Sequence, residues 1–219
     1  MKQSKAISGR FDAASEYPSV EIDAYLEALA SPSPTPGGGS AATIVGALGA
    51  ALVAMVARIT GDNPTYAAVA EDAQSIAADA DGIRLALIAA RERDERAYAA
   101  VVAAMALPKA TAPEKASRTE RVQGALAGAA AAPLFAAELA LEVVRIAERA
   151  RNLGNRHLAS DVACAEIFGR AALAASAENV RINHAFLKDG ALVAGQEAAL
   201  RALESAATAA RAIQARPPE

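Results

Sequence analysis

The sequence predicts an all-α protein, a bundle of five to six long and mostly antiparallel helices. Alanine, which has the best intrinsic helix propensity, supplies roughly three residues in ten. Residues that favour strands are sparse, since aromatic residues make up 4% of the chain and tryptophan is absent. Apolar residues also recur at spacings of three and four, the period of an amphipathic helix. At 219 residues the chain fits one domain.

The N-terminal part contains a polar tail and two helices with a proline-rich loop between them. Residues 1–17 are polar and aperiodic, which predicts a mobile tail and leaves residues 18–219 as a single helical domain. Apolar spacing from Val20 to Leu29 predicts a short first helix, which ends before the loop at Ser31. A second helix is predicted from about Ser40 to Thr60, where a Gly-Asp-Asn-Pro sequence stops it.

The third helix is predicted to be long and to carry a carboxylate on its apolar side. It runs from about Thr65 to Leu107, with apolar residues at spacings of three and four along one face. Asp94 occupies the step of this stripe between Leu87 and Tyr98, so we expect its carboxylate to point toward the core. Its charged neighbours are expected to form an ordinary solvent-exposed surface: Arg91, Glu92, Arg93, Glu95 and Arg96.

The remaining helices are marked by their ends. Residues 111–114 read Thr-Ala-Pro-Glu, a capping box with proline in the first turn, and they open a helix that ends at Gly154. Pro133 lies inside this helix and is expected to kink it and to free the backbone carbonyl one turn earlier. Ser160 is predicted to cap the fifth helix, and the last helix is predicted from about Ala191 to Ala215.

Composition argues against several classes of function. The formal net charge of −3 and the pI near 5.6 give no support to nucleic-acid binding, which needs a basic patch. The only cysteine, Cys164, cannot form an internal disulfide and is most simply a small core residue. His157 and His184 have no metal-ligand spacing with each other or with Cys164, so no metal site is predicted.

A secretory signal would lie in the N-terminal residues, and the second helix is the candidate for a membrane span. The basic residues near the N-terminus are followed by polar rather than apolar ones, so we expect no secretory signal and a cytoplasmic protein. Residues 41–57 form an uncharged run close to the length of a membrane span. Because the run is mostly alanine and glycine and lacks flanking Trp or Tyr, a buried central helix is the preferred interpretation. Its Gly46 and Gly49 would allow another backbone to come close.

The most informative segment is Pro34–Ser40, which reads PTPGGGS. Its prolines hold the backbone extended, and its three glycines permit crowded backbone angles. A glycine or Ser40 can cap the following helix, which leaves a row of amide N–H groups suited to an anion or an electron-rich ligand edge. A plain linker with a glycine cap explains the same pattern equally well.

Asp94 is the strongest candidate for chemistry. A carboxylate on an apolar stripe loses solvation, which raises its pKa toward the range of a general acid or base. Tyr98 lies one turn further on, where it could hydrogen-bond to a flat ligand or stack on it. The alternatives are a structural aspartate, held by an arginine or a helix end, and an ordinary core tyrosine.

Other polar candidates lie on the fifth helix and just before it. Asn179 and Asn183 are one turn apart on one face, and their amides could read a ligand edge or fix a water. Hydrogen bonds between helices are the alternative explanation for both. Asn155, Ser160 and Asp161 cluster at a helix start, where capping is the default interpretation.

Six motifs occur in the order in which a known family carries them. The first is the glycine segment with the apolar run after it, and the others are Asp94–Tyr98, Leu107–Lys109, Pro133–Leu134, Gly154–Asn155 with Ser160–Asp161, and Asn179–Asn183. Together they resemble the cyclodeaminase/cyclohydrolase family, which comprises the formiminotetrahydrofolate cyclodeaminase domain and stand-alone methenyltetrahydrofolate cyclohydrolases. The resemblance covers roughly residues 19–215.

This resemblance implies an enzyme that acts on a tetrahydrofolate derivative. A cyclohydrolase adds water to 5,10-methenyltetrahydrofolate and gives 10-formyltetrahydrofolate, whereas a cyclodeaminase closes 5-formiminotetrahydrofolate and releases ammonia. The resemblance implies that Asp94 transfers protons and that Asp161 is a second acid–base candidate. Substrate contacts are implied for Pro36, Gly37, Gly38, Gly39, Ser40, Arg58, Tyr98, Lys109, Asn155, Ser160, Asn179 and Asn183.

One segment departs from the family pattern. Many members carry a glycine- and lysine-rich segment where residues 61–66 read GDNPTY, and asparagine where Arg58 stands. The missing lysines put in question both the binding of an acidic glutamate tail and any catalytic lysine there. Arg58 is expected to supply the absent charge, and Lys109 is expected to contact the folate or its glutamate tail.

We expect a methenyltetrahydrofolate cyclohydrolase, because no formiminotransferase domain accompanies the chain to hand over a formimino substrate. The alternatives are a stand-alone cyclodeaminase and a non-catalytic helical dimer that keeps the fold. No permanently bound cofactor and no nucleic-acid or membrane partner are expected. Because alanine-rich helices bury little apolar area at each contact, we expect a homodimer.

Overall fold

The computed structural model describes residues 20–214, and these residues are helical almost throughout. The α-helices in this range are α1 (Val20–Ala30), α2 (Gly38–Gly61), α3 (Ala70–Met105), α4 (Ala112–Asn152), α5 (Ala159–His184) and α6 (Gly190–Gln214). Short 3₁₀ turns at Pro64–Val69 and Arg156–Leu158 precede α3 and α5. The predicted all-α class is confirmed, whereas the tail predicted over residues 1–17 lies outside the described residues.

The described residues divide into two compact units, residues 20–35 and residues 36–214. The first unit contains α1, on which Ile22 and Leu26 are exposed. After α1 the Ser31 hydroxyl donates a hydrogen bond to the Ala28 carbonyl, 2.7 Å away. The second unit contains α2 to α6 and with them every residue predicted for the functional site.

In the second unit, α2 to α5 form an up-and-down four-helix bundle in which each helix packs on the next in chain order and α5 returns to α2. Cross-helix contacts run in opposite directions along neighbouring helices, with Arg58 of α2 beside Asp81 and Ser40 beside Glu95 on α3. The last helix, α6, packs on α4 and α5. The two ends of α2 therefore lie at opposite ends of the bundle.

Small residues bring α2 close to its neighbours. A Cβ added at Gly49 would lie 2.8 Å from Cγ1 of Val143 and 2.9 Å from the carbonyl oxygen of Ala165. Glycine is therefore what permits the close approach of α2 to α4 and α5, as expected for Gly49. At Gly46 the neighbour is the Leu87 side chain, 3.2 Å from an added Cβ, rather than a backbone atom.

Two of the predicted helix ends are confirmed and one is wrong. Thr111 and Glu114 form the complete capping box at the start of α4, and Gly154 after α4 has a left-handed φ of 79°. Ser160 does not cap α5, because the helix already begins one residue earlier. The 3₁₀ turn before it leads directly into α5, and Asn155 caps that turn instead.

The buried surface also corrects one expectation and agrees with another. Cys164 is exposed rather than in the core, because the core-facing positions of α5 nearby are Val162 and Ala165. By length and composition α2 and α4 could each cross a membrane, and 61% of the most apolar stretch of α2 is buried inside the protein. That burial agrees with the central helix predicted over residues 41–57.

Candidate active site

The Asp94 carboxylate lies directly against the first turn of α2. A Cβ added at Gly39 would come within 2.5 Å of both carboxylate oxygens of Asp94. Ordinary side chains do not approach this closely, so only glycine at this position leaves room for the carboxylate. The backbone N–H of Ser40, the next residue, donates a hydrogen bond to Asp94. The carboxylate thus meets a helix N-terminus rather than the apolar core that the sequence predicted.

The position of Asp94 changes its acidity. Partial burial raises the pKa of the Asp94 carboxyl above its ordinary value, because desolvation disfavours the charged form. The negative charge of Glu95 raises it further, and the hydrogen bond from the Ser40 N–H opposes both effects. The net upward shift moves the pKa in the direction that a proton-transfer group needs near neutral pH.

Ser40 links α2 to a second carboxylate on α3. Its hydroxyl donates to Oε1 of Glu95 at 3.0 Å, and Nη1 of Arg91 lies 3.0 Å from the same oxygen. Ser40 has no exposed surface, so this hydrogen bond is shielded from water on the α2 side. The capping position of α2 is Gly37, which has no side chain, so the start of the helix has no side-chain cap and Ser40 lies inside its first turn.

Asn179 brings α5 to the same helix start. A Cβ added at Gly38 would lie 3.6 Å from Nδ2 and 3.7 Å from Oδ1 of the Asn179 amide. Nδ2 of Asn179 donates back to the carbonyl of Ala175 at 2.8 Å. The side-chain amide therefore lies in ordinary contact distance of the glycine segment, with one donor already used within α5.

The Asn183 side chain hydrogen-bonds to backbone carbonyls of α4 and α5. Pro133 has no N–H, so the carbonyl of Ala129 one turn earlier lacks a helical partner, as the sequence predicted. Nδ2 of Asn183 donates to this carbonyl at 3.0 Å and to the carbonyl of Asn179 at 2.8 Å. Both amide hydrogens of Asn183 are thus spent on α4 and α5, which favours the interhelical alternative over substrate binding through that amide group.

Tyr98 lies one turn beyond Asp94 on α3 and keeps 42% of its surface exposed. That exposure argues against the alternative of an ordinary core tyrosine. Val102 and Met105 follow it at the next turns and are also exposed. The row extends from the carboxylate toward the end of α3 and offers a flat ligand an apolar surface.

Arg58 lies at the other end of α2. At about 1.5 Å of rise per residue, it is about 27 Å along the helix from Ser40. There it forms an ion pair with Asp81 of α3, and the hydrogen bond from Arg58 holds the pKa of that carboxyl below its ordinary value. Within one chain, Arg58 does not lie beside Asp94.

Asn155 belongs to that distant end as well. Its Nδ2 donates to the Thr60 hydroxyl at 3.0 Å, and its Oδ1 accepts from the His157 backbone N–H at 3.2 Å. Ser160 and Asp161 lie in the first turn of α5, about 27 Å along that helix from Asn179. The predicted residues therefore fall into two groups, and Asp161 is not near Asp94 in the same chain.

Lys109 lies in the exposed loop between α3 and α4. About 16 Å of helix axis separates Asp94 from Met105, the last residue of α3. Lys109 therefore does not contact the carboxylate itself. The exposed row of Tyr98, Val102 and Met105 runs along α3 from the carboxylate toward the loop that contains Lys109.

Sequence reasoning missed Glu95 and Arg91, which it placed on an ordinary charged surface. The sequence held two signals for them: Arg91 and Glu95 have the i,i+4 spacing of a helical ion pair, and Glu95 directly follows Asp94. The sequence did not show that Ser40 of α2 lies within hydrogen-bond distance of Glu95. Among residues 20–214 no three His, Cys, Asp or Glu side chains are grouped so that they could hold a metal ion.

Three comparisons place the chain among known proteins. The family model described as Formiminotransferase-cyclodeaminase matches residues 21–202. A methenyltetrahydrofolate cyclohydrolase of Methylorubrum extorquens is 38% identical over 195 residues, which cover 89% of this chain and 92% of that protein. A formimidoyltransferase-cyclodeaminase of Rattus norvegicus is 31% identical over 141 residues, 64% of this chain and 26% of the rat protein.

A solved structure agrees with these matches. The crystal structure of a formiminotetrahydrofolate cyclodeaminase from Thermotoga maritima superposes with a TM-score of 0.71 and 26% sequence identity. The match covers 86% of this chain and 94% of that one. The similarity therefore extends over nearly the whole helical bundle.

Proposed function

Because the chain belongs to the formiminotransferase-cyclodeaminase family, we propose that it is a methenyltetrahydrofolate cyclohydrolase of one-carbon metabolism. Such an enzyme hydrolyses the cyclic amidine of 5,10-methenyltetrahydrofolate to 10-formyltetrahydrofolate. The relative of that name from Methylorubrum extorquens matches 89% of the chain at 38% identity. The observation in the structure that supports this best is the Asp94 carboxylate at the start of α2, with its raised pKa.

In the proposed reaction Asp94 would carry the protons that hydrolysis moves. In its carboxylate form it accepts a proton from the water that attacks the methenyl carbon, so that a neutral hydroxy adduct forms. When the bond from this carbon to N5 breaks, Asp94 returns the proton to N5. The adduct's hydroxyl proton leaves to solvent as the formyl C=O forms on N10, so one proton is released per turnover. General acid–base catalysis of this kind contributes about two to four orders of magnitude.

The other residues near Asp94 would position the substrate. Tyr98 offers an aromatic face beside the carboxylate, and Asn179 offers an amide edge at the glycine segment. The first turn of α2 contributes a polar wall from Gly37 to Ser40. Holding reactants in a productive geometry contributes several kcal/mol, about 7–11 in the best cases.

A cyclodeaminase is the second candidate, favoured by the similarity to the Thermotoga maritima structure of that name. Cyclodeamination would use the same carboxylate, but it must also protonate departing ammonia. Arg58 could not serve as that acid, because a guanidinium stays protonated, and it is engaged with Asp81.

An absorbance assay of the purified protein tests the proposal. We expect loss of the methenyl chromophore above the uncatalysed rate, with formation of 10-formyltetrahydrofolate. The Asp94→Asn variant serves as the control for contaminating activity. No methenyl hydrolysis by the wild-type protein would overturn the assignment, and ammonia release from 5-formiminotetrahydrofolate alone would favour the second candidate. Folate binding without turnover, seen as a raised melting temperature, would favour a non-catalytic protein.

We also propose that the protein is a homodimer that pairs through α2. Leu48, Met55 and Ile59 lie at helical spacing along the outer side of this otherwise buried helix and are exposed. Ile88 of α3 is exposed as well. Exposed apolar side chains grouped on one face in this way are typical of protein–protein contacts. A second copy could cover the stripe in an isologous arrangement, in which the same patch serves both subunits.

The remaining expectations stay predictions. They are a cytoplasmic location, the absence of a permanently bound cofactor or metal, and the absence of nucleic-acid and membrane partners. The folate substrate itself follows from the proposed activity.

A further inference from the structure

Ser40 holds two neighbouring carboxylates at once. Its backbone N–H donates to Asp94, and its hydroxyl donates to Glu95 at 3.0 Å. Consecutive residues on a helix point in directions about 100° apart, so a partner that reaches both must lie between them. The first turn of α2 occupies that position. Because Ser40 is fully buried, the bridge is part of the packing between α2 and α3.

Glu95 is fixed from its other side as well. Nη1 of Arg91, one turn earlier on α3, lies 3.0 Å from the same Oε1 that accepts from Ser40. Both residues of this pair are only partly exposed, at 28% of each side chain. A carboxylate with two donors on one oxygen and a restricted exposure has little freedom to rotate away. Its negative charge therefore stays next to Asp94.

We propose that Glu95 is a positioning residue for Asp94, held in place by Ser40 and Arg91 so that its charge sets the pH range in which Asp94 exchanges protons with the substrate. The inference rests on the proposed hydrolysis, because it assigns Glu95 a part in that reaction. Glu95 would then be a second carboxylate beside Asp94, although Glu95 itself transfers no proton.

The surroundings of Asp94 support this role. The raised pKa of Asp94 arises first from burial and then from the charge of Glu95. Among residues 20–214, the contacts shown from other helices to Asp94 or to the same helix start come from uncharged groups: Gly39 and Ser40 of α2, and Asn179 of α5. On the side toward α4, the guanidinium of Arg93 stacks on the Phe135 ring, 5.2 Å from its centroid. Arg91 and Glu95 are thus the ion pair that adjoins the carboxylate on α3.

The test compares three charge-removing substitutions on α3 by the pH dependence of kcat/KM, which reports the free enzyme. Hydrolysis needs the carboxylate form of Asp94, so activity rises with pH through the pKa of that group. Glu95→Gln keeps an acceptor for Ser40 but removes the charge, and it should move the rising limb about 0.5–1 pH unit lower. Arg91→Gln leaves Glu95 without its counter-charge and should move the limb higher. Glu92→Gln is the matched control, because Glu92 pairs with the exposed Arg96 and should leave the limb in place.

A second readout does not depend on activity. The side-chain carboxyl carbon of Asp94, identified by its loss in Asp94→Asn, can be titrated by NMR in the ligand-free protein. Its midpoint should follow the same two opposite shifts. An unchanged midpoint in both Glu95→Gln and Arg91→Gln, with only a lower melting temperature, would mean that the pair is merely structural and would overturn the inference. Absence of hydrolysis in the wild type, with the NMR shifts present, would instead count against the proposed function alone.

Discussion

Replacing Gly39 by alanine should disable the site while leaving the bundle folded. The new Cβ would lie 2.5 Å from both oxygens of the Asp94 carboxylate and 2.7 Å from its Cγ. Carbon and oxygen atoms that are not bonded come no closer than about 3.4 Å without strain, so the carboxylate must retreat by about 1 Å. That movement also weakens its hydrogen bond from the Ser40 N–H.

The expected losses of activity and of stability differ in size. A misplacement of about 1 Å in a catalytic geometry costs on the order of 10²-fold in rate. Overpacking costs about 1–3 kcal/mol, but alanine recovers up to about 1 kcal/mol because it is a better helix former than glycine. The free energy of unfolding should therefore fall by no more than about 3 kcal/mol.

The measurement pairs turnover of the methenyl substrate with thermal or urea unfolding, and Gly128→Ala is the matched control. Gly128 lies within α4, is exposed, and has no atom within 4 Å of an added Cβ. The same chemical change there should raise stability by about 0.5–1 kcal/mol and leave turnover unchanged. Wild-type turnover in Gly39→Ala would refute the contact between α2 and the carboxylate as the basis of activity.

Three further predictions concern Asp94, the oligomer and the reaction. Asp94→Asn should lower turnover by about two to four orders of magnitude. The pKa of Asp94 is raised in the folded protein, so the wild-type unfolding free energy falls as pH rises from the unfolded pKa of 3.8 through the folded one. The variant lacks this loss and should therefore unfold at a higher temperature than wild type at neutral pH. A less stable variant with full turnover would remove the catalytic assignment. Light scattering at micromolar concentration should give a dimer, and Leu48→Glu on the exposed stripe should give a folded monomer, whereas a monomeric wild type would contradict the dimer. The specificity constant for methenyl hydrolysis should exceed that for formimino deamination, because the lysine-bearing segment of other family members is absent at residues 61–66; faster ammonia release would reverse this order.

Much of the fold could be predicted because helices depend on local chemistry. The capping box of Thr111 and Glu114 is complete in the structure, and Gly154 takes the left-handed conformation expected at the end of α4. Cys164 and Ser160 show where this reasoning failed. One was assigned to the core without knowing which side of α5 faces inward, and the other was assigned a cap that a 3₁₀ turn made unnecessary.

The site could be predicted only in part. Asp94 and the glycine segment were both identified from residue type and periodicity, and the structure brings them into contact. Arg58, Asn155 and Asp161 were grouped with them through the resemblance, yet they lie at the other end of the bundle within one chain. Spacing along a helix measures distance along its axis, but it does not say which ends of different helices meet.

The sequence by itself determined the helical class and the family, and it singled out Asp94 as the candidate acid–base group, because these depend on residue type, period and the order of motifs. Only the tertiary structure decided which polar residues act together. The antiparallel approach of α3 to the start of α2 set Ser40 between Asp94 and Glu95. It also made glycine the one residue type that leaves room for the carboxylate at position 39. The packing of α5 on α4 made Asn183 the partner of the carbonyl that Pro133 frees. The physical reason is that desolvation and hydrogen bonding act over a few ångströms between helices that are far apart in the chain.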